Sequence, residues 1–321
     1  MNLLRLIDAN ANRACEGLRV LEDVARLCLN SAAIQSALKI HRHSIRSAIP
    51  ETVIWQRGSD RDVGSRSKGE KKLEPTQLVS ANAKRVQEAL RVLEDCLSKQ
   101  STTFQKIRFN IYTLEQTLLG RLARPKIHGI YVITHDPKLA QRAIRDGASV
   151  IQYRDKLAEP GQKLKRAKIF RQLTRDAGVP LIINDHPDLA LLVDADGVHL
   201  GQGDYDIASV RNLLPTYMAI GRSTHSLKQG LQAQHQGADY IGVGPVFATP
   251  TKPGKTPVGL HYVRQAAQHL EIPWVAIGAI NLGNAAAVLR AGARCIAVVR
   301  AVDQVKFLRK FYLRVYRSGS A

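Results

Sequence analysis

Two textures of hydrophobic spacing divide the chain. Through roughly the first 125 residues, apolar positions recur at steps of three and four, as in Leu18, Leu21 and Ala25 and again in Leu90, Leu93 and Leu97, which gives each segment one buried helical stripe. From Lys126 onward, short apolar runs alternate with longer amphipathic ones. The runs predict strands over 129–134, 149–154, 181–184, 197–200, 218–222, 240–244, 274–278 and 295–299. Several are introduced by a Gly-Ala or Gly-Val step (Gly147-Ala148, Gly178-Val179, Gly237-Ala238, Gly292-Ala293), the way a helix ends and a buried parallel strand begins. Strands alternating with helices, eight times in under 200 residues, imply a compact (β/α)8 barrel over residues 126–321. An open doubly wound sheet is the alternative, and the lack of a Gly-rich dinucleotide loop after the first strand weighs against it.

The helical segment repeats itself. Residues 9–23 and 81–95 share eleven of fifteen identities at an offset of 72, which marks an internal duplication. Each copy runs into a second helix, roughly 31–49 and 101–121, so residues 1–125 form a small all-helical bundle with approximate twofold symmetry. The repeated polar set Asn10, Arg13, Glu16 and Arg19, matched by Asn82, Arg85, Glu88 and Arg91, would meet around an anionic ligand or serve as an ion-pair network or dimer interface, which leaves a homo-oligomer open. Residues 56–75 have the composition of a mobile loop, and Arg124-Pro125 marks the domain boundary.

Composition narrows the picture. A net charge of +20 invites a nucleic-acid reading. The excess is spread over both halves, however, and its clusters lie on two predicted helices (Lys163, Lys165, Arg166, Lys168, Arg171 and Arg175; Lys306, Arg309, Lys310, Arg314 and Arg317) with few aromatic residues for stacking. Most of it is a solvated surface, with a minority attracting anionic substrates. No apolar run reaches membrane-spanning length and no secretory signal pattern opens the chain. The cysteines Cys15, Cys28, Cys96 and Cys295 show neither disulfide nor zinc spacing, as expected of a cytoplasmic protein.

A barrel carries its active site at the carboxyl ends of its strands, and there the unusual polar residues fall. Gln152, Arg154 and Lys156 follow the second strand. Alternation would put all three on one face, where an arriving polyanion would justify them. Asn184, Asp185 and His186 follow the third strand, Gly201, Gln202 and Asp204 the fourth, and Ser223 and His225 the fifth. Asp185 and Asp204 offer hard oxygen ligands for Mg²⁺ shared with a diphosphate, although a lone Asp after a strand also serves as a helix N-cap. A metal beside two or three cations is what diphosphate departure requires. His225 is read as a hydrogen-bonding or packing residue, and Lys252 as a lid cation on the loop after the sixth strand. Gly278-Ala279 and Val299-Arg300 end the seventh and eighth strands, where barrels commonly cradle a phosphate on backbone N–H groups.

Taken together, Gln152-x-Arg154-x-Lys156, Asn184-Asp185, Asp196-Gly197-Val198-His199-Leu200-Gly201-Gln202-x-Asp204, Gly242-Val243-Gly244-Pro245-Val246-Phe247, Thr249-x-Thr251-Lys252 and Ile277-Gly278-Ala279-Ile280 resemble the thiamine phosphate synthases. The resemblance covers roughly residues 126–318, and the repeated amino-terminal domain is similar to an extension found on some bacterial members, notably cyanobacterial-type ones. It implies a transferase of thiamine biosynthesis that couples 4-amino-5-hydroxymethyl-2-methylpyrimidine diphosphate to 4-methyl-5-(2-hydroxyethyl)thiazole phosphate, with Mg²⁺ as cofactor and no nucleic-acid or membrane partner. It further implies that Gln152, Arg154, Lys156, Asn184, Ser223 and Lys252 bind the pyrimidine diphosphate, that Asp185 and Asp204 hold Mg²⁺, and that Thr249, Thr251, Ala279, Val299 and Arg300 surround the thiazole phosphate. Two residues depart from the family pattern. Ala279 stands where a second glycine is common, acceptable if its backbone needs no positive φ, and Arg300 stands where small or hydroxylic residues are common. The rival readings are a thiazole tautomerase-like barrel and a basic nucleic-acid-binding or regulatory protein.

Overall fold

The computed structural model describes residues 3–50, 52–53, 73–250, 254 and 256–317. The expected mobile loop therefore lies largely outside the described residues, and Thr251 and Lys252 lie wholly outside them. By its internal contacts the chain divides into two compact units, Met1–Ala123 and Arg124–Ala321.

Among the described residues, the first unit holds four α-helices: α1 (Leu3–Asp23), α2 (Ala32–Ala48), α3 (Pro75–Cys96) and α4 (Ser101–Leu122). α1 and α3, the two copies of the repeat, pack against each other, with α2 laid on α1 and α4 on α3. They come close because Gly17 has no side chain. A Cβ there would stand 2.7 Å from the Val86 side chain and 3.0 Å from the Asn82 carbonyl. Ala14, Leu18, Leu21, Ala83, Val86, Leu90 and Leu93 fill the core between them.

Several of the repeated polar residues take part in pairs within the unit. Glu22, almost wholly buried, accepts from Arg42 Nε and Nη2 at 2.6 and 3.2 Å, and its counterpart Glu94 accepts from Arg108 Nε and Nη2 at 2.6 and 3.1 Å. Arg19 and Arg91 each reach the same acid three residues on. Asn10 and Asn82 bond the Leu6 and Leu78 carbonyls. The buried acids are thus Glu22 and Glu94, whereas Glu16 and Glu88 are exposed.

The second unit is a closed eight-stranded barrel with every neighbouring pair parallel. Its order is β1 (Gly129–Thr134), α5 (Pro137–Arg145), β2 (Val150–Tyr153), α6 (Pro160–Ala177), β3 (Leu181–Asn184), α7 (Pro187–Leu192), β4 (Gly197–Leu200), α8 (Ile207–Leu213), β5 (Ala219–Thr224), α9 (Leu227–His235), β6 (Tyr240–Val243), α10 (Gly259–His269), β7 (Trp274–Ile277), α11 (Ala285–Arg290), β8 (Cys295–Val298) and α12 (Val305–Arg317). Strand alternation makes two cores. Ile130, Val132, Ile151, Tyr153, Ile183 and Val198 face the helices, where Phe170, Ala167 and Ala140 meet them. Tyr131, Ile133, Val150, Ile182, Ala219, Tyr240, Val275, Cys295 and Ala297 fill the barrel interior. Each large aliphatic residue so buried contributes about 1.5–3 kcal/mol.

Side-chain caps set the helix starts: Asp136 accepts from Lys138 N–H, Asp206 from Ser209 N–H and Ser226 from Gln229 N–H. At the amino ends of the strands, Asp239 takes Ile220 N–H while paired with Arg211 and Arg124, and Asp196 takes Leu181 N–H while paired with Arg171. Part of the basic excess is therefore committed to structure at the face opposite the mouth. No helix among the described residues is long and apolar enough to cross a membrane.

Candidate functional site at the barrel mouth

Three cavities at the mouth are lined by the described residues. The innermost lies among Gln152, Arg154, Asn184, His199, Ser223 and Tyr240. Its floor is a chain of hydrogen bonds across the barrel. Gln152 Nε2 donates to Tyr131 Oη at 2.9 Å, Tyr131 Oη and Tyr240 Oη are 3.1 Å apart, and Tyr240 Oη lies 3.1 Å from His199 Nδ1. His199 Nε2 in turn lies 3.0 Å from Ser223 Oγ. Burial pushes both phenols well above their ordinary range, so they stay neutral at physiological pH. Gly221 makes the crossing possible, since a Cβ there would come 2.2 Å from Tyr240 Cζ and 2.5 Å from His199 Nδ1.

β2 is shorter than the apolar run predicts. It ends at Tyr153, and Arg154 N–H bonds the Thr134 carbonyl as the chain leaves the sheet. Alternation therefore stops before Lys156. Gln152 is buried and shares the inner cavity with Arg154, whereas Lys156 opens on a different, outer cavity; the three do not line one face as expected. Asp155 holds the bend between them. Its carboxylate accepts from Leu157 and Ala158 N–H at 3.1 Å each and from Arg166 Nη1 at 2.5 Å. Burial pulls its pKa upward, but those three donors outweigh it, and the net shift is down.

The outer cavity, about 590 Å³, is lined by Lys156, Lys163, Asn184, Asp185, His186 and Asp204, among others. Asp185 and Asp204, from the ends of β3 and β4, stand beside one another. Burial and then the neighbouring Asp204 raise the Asp185 pKa, opposed by Lys156 and Arg154. Neither acid caps a helix. His186 occupies that position for α7 and Asp206 for α8. Asp185 sits at φ 63°, a left-handed conformation sparsely used outside glycine, and its N–H bonds the His199 carbonyl. Asp204 Oδ2 accepts Gly201 N–H at 2.6 Å. Two carboxylates side by side, from the ends of neighbouring strands, are a donor set that fits a hard divalent cation.

The third cavity, about 270 Å³, runs among Ser223, His225, Thr249, Gly278, Ala279, Val299 and Arg300. Ser223 belongs to both this cavity and the innermost one. His225 Nδ1 lies 2.5 Å from the Gly244 carbonyl, the hydrogen-bonding role expected of it. Ala279 takes φ 50°, so this backbone does need the positive φ that the expectation of a tolerated alanine excluded. Its carbonyl accepts from Asn281 Nδ2 at 3.3 Å and Asn284 Nδ2 at 3.0 Å, which hold the turn in place.

His199, Tyr131 and Tyr240 were not singled out as site residues. The inward register of the strands, in which each stands two residues from another interior position, is the signal that exposes them.

Comparison with known proteins covers both units. The family model described as thiamine monophosphate synthase matches residues 130–302, and that of the ThiD2 family matches residues 5–117. A thiamine-phosphate synthase from a Nostoc species is 40% identical over 315 residues, covering 94% of this chain and 90% of that protein. One from a Synechocystis species is 39% identical over 313 residues, covering 94% and 91%. Among solved structures, a thiamine phosphate pyrophosphorylase from Pyrococcus furiosus is similar at TM-score 0.54 and 36% identity, covering 58% of this chain and 96% of that one. Likeness along nearly the full length, with a closed parallel barrel to match, means that this chain belongs to the thiamine monophosphate synthase family, transferases of thiamine biosynthesis.

Proposed function

We propose that this chain joins 4-amino-5-hydroxymethyl-2-methylpyrimidine diphosphate to 4-methyl-5-(2-hydroxyethyl)thiazole phosphate at the barrel mouth, giving thiamine phosphate and diphosphate. The carbon–oxygen bond to the diphosphate breaks and its electron pair leaves with the diphosphate. The lone pair of the thiazole nitrogen forms the new carbon–nitrogen bond. The observation that carries the reading is the pairing of Asp185 with Asp204 beside Lys156, in a cavity next to the buried Gln152 and Arg154.

In this reading Gln152, Arg154, Lys156, Asn184, Ser223 and Lys252 bind the pyrimidine diphosphate, and Asp185 and Asp204 hold Mg²⁺. Thr249, Thr251, Ala279, Val299 and Arg300 surround the thiazole phosphate. The innermost cavity takes the pyrimidine ring against neutral hydrogen-bonding groups, which orient it without adding charge. Ser223, shared by two cavities, stands between the partners. Arg154 and Lys156 balance charge as it builds on the leaving oxygens. Bound Mg²⁺ would supply further neutralisation there.

Mixing the full chain with both substrates and Mg²⁺, with and without EDTA, tests this. Diphosphate and thiamine phosphate should appear in equal amounts and vanish with chelation. Well-folded protein that forms neither product would overturn the assignment, and turnover indifferent to EDTA would overturn the metal.

A further inference from the structure

α6 carries six cations, and all but one have an evident station. Arg166 pairs with Asp155 at 2.5 Å, Arg171 with Asp196 at 2.7 Å and Arg175 with Asp194 at 3.0 Å. Lys165 and Lys168 are exposed on the outer surface. Lys163 is half-buried and, alone of the six, lines the outer cavity together with Lys156, Asp185 and Asp204. Its ammonium lies 3.3 Å from His186 Nε2, and no carboxylate among the described residues forms an ion pair with it. An ammonium has three donors and the imidazole takes one, so two remain for oxygens that enter the cavity.

Resting on the function proposed above, we infer that Lys163 binds the terminal phosphate of the pyrimidine diphosphate, with His186 as its positioning residue. The two cations identified from the strand ends divide between cavities, Arg154 inside and Lys156 outside. A diphosphate spanning them presents its outer phosphate to the cavity that Lys163 lines. A charge-assisted hydrogen bond at this half-buried place strengthens binding without touching the thiazole side.

The test compares Lys163→Met, Lys163→Arg and Lys165→Met in the full chain. Steady-state kinetics gives the KM of each substrate, and calorimetry gives the Kd of inorganic diphosphate in the presence of Mg²⁺. Lys163→Met should raise the KM of the pyrimidine diphosphate and the diphosphate Kd by about tenfold, the loss of one charge-assisted contact. The thiazole phosphate KM and the circular dichroism should not move. Lys163→Arg should recover most of the loss, and Lys165→Met, the same charge change on the outer face, should match the parent. Unchanged diphosphate binding in Lys163→Met, or an equal loss in Lys165→Met, would overturn the inference. Because calorimetry reads diphosphate without turnover, a parent chain that binds it but forms no thiamine phosphate would count against the reaction and leave the role of Lys163 standing on its own result.

Discussion

Replacing Asp185 by Asn should stabilise the metal-free protein while destroying its function. Like charges about 4 Å apart at an effective dielectric of about 20 repel by about 4 kcal/mol. Lys156 and Arg154 offset part of this, and partial exposure screens more, which leaves roughly 1 kcal/mol. The sign follows from the raised pKa of Asp185. In acid, below the unfolded value of about 3.9, the carboxyl is neutral in both states and carries no penalty. As pH rises through the folded pKa, the native state must accept a second negative charge that the unfolded chain accepts freely, and stability is lost. The asparagine amide never carries that charge, and asparagine tolerates the left-handed backbone at φ 63°. Calorimetric melting in EDTA should therefore show Asp185→Asn above the parent by roughly 2–4 °C at neutral pH, the two converging in acid. Mg²⁺ should raise the melting temperature of the parent and leave the variant unmoved. Diphosphate release by the variant should fall by about a hundredfold or more. A variant that melts below the parent by the same margin at every pH would refute the reasoning, because it would make Asp185 a structural hydrogen-bonding residue.

Two further substitutions probe the backbone and the helical unit. Ala279→Gly relieves a left-handed alanine and should raise barrel stability by about 0.5–1 kcal/mol in urea unfolding, with thiazole phosphate binding kept; a loss of stability would show that the turn is not strained. Glu22→Gln strands the guanidinium of Arg42 in the helical core and should cost about 3 kcal/mol by chemical denaturation, whereas a cost under about 1 kcal/mol would mean that the pair is solvated.

The fold was legible because punctuation and period agreed. The Gly-Ala steps located the strand starts closely, and the ranges expected for 129–134, 181–184 and 197–200 match β1, β3 and β4. Strand ends were less legible. At β2 the backbone leaves the ladder one residue earlier than the run of side chains suggests, because the Asp155 turn competes with continued pairing. The expectation that one strand face carries Gln152, Arg154 and Lys156 failed there. The carboxylate pair was recognisable from residue type at neighbouring strand ends. The floor of tyrosines and His199 was not, since a tyrosine within an apolar run reads as packing until the closed register shows its hydroxyl facing another. Ala279 illustrates a different limit, for residue type alone does not report φ. Lys163 was visible only as one of a row of cations; helix phase turns Lys165 and Lys168 outward, and what sets Lys163 apart from Arg166 on its own face is that Arg166 is paired with Asp155.

The pairing of α1 with α3 makes the helical unit, in effect, a dimer written into one polypeptide. Each hairpin presents an apolar face that its copy covers, an association that separate chains would reach only above a threshold concentration. Here the tether fixes the local concentration of the partner, so assembly is independent of how much protein the cell makes. The tether also frees the two halves from identity. Position 15 is a buried cysteine where its counterpart, Gln87, bonds Glu115, and such divergence is open only to a pair that can never exchange partners.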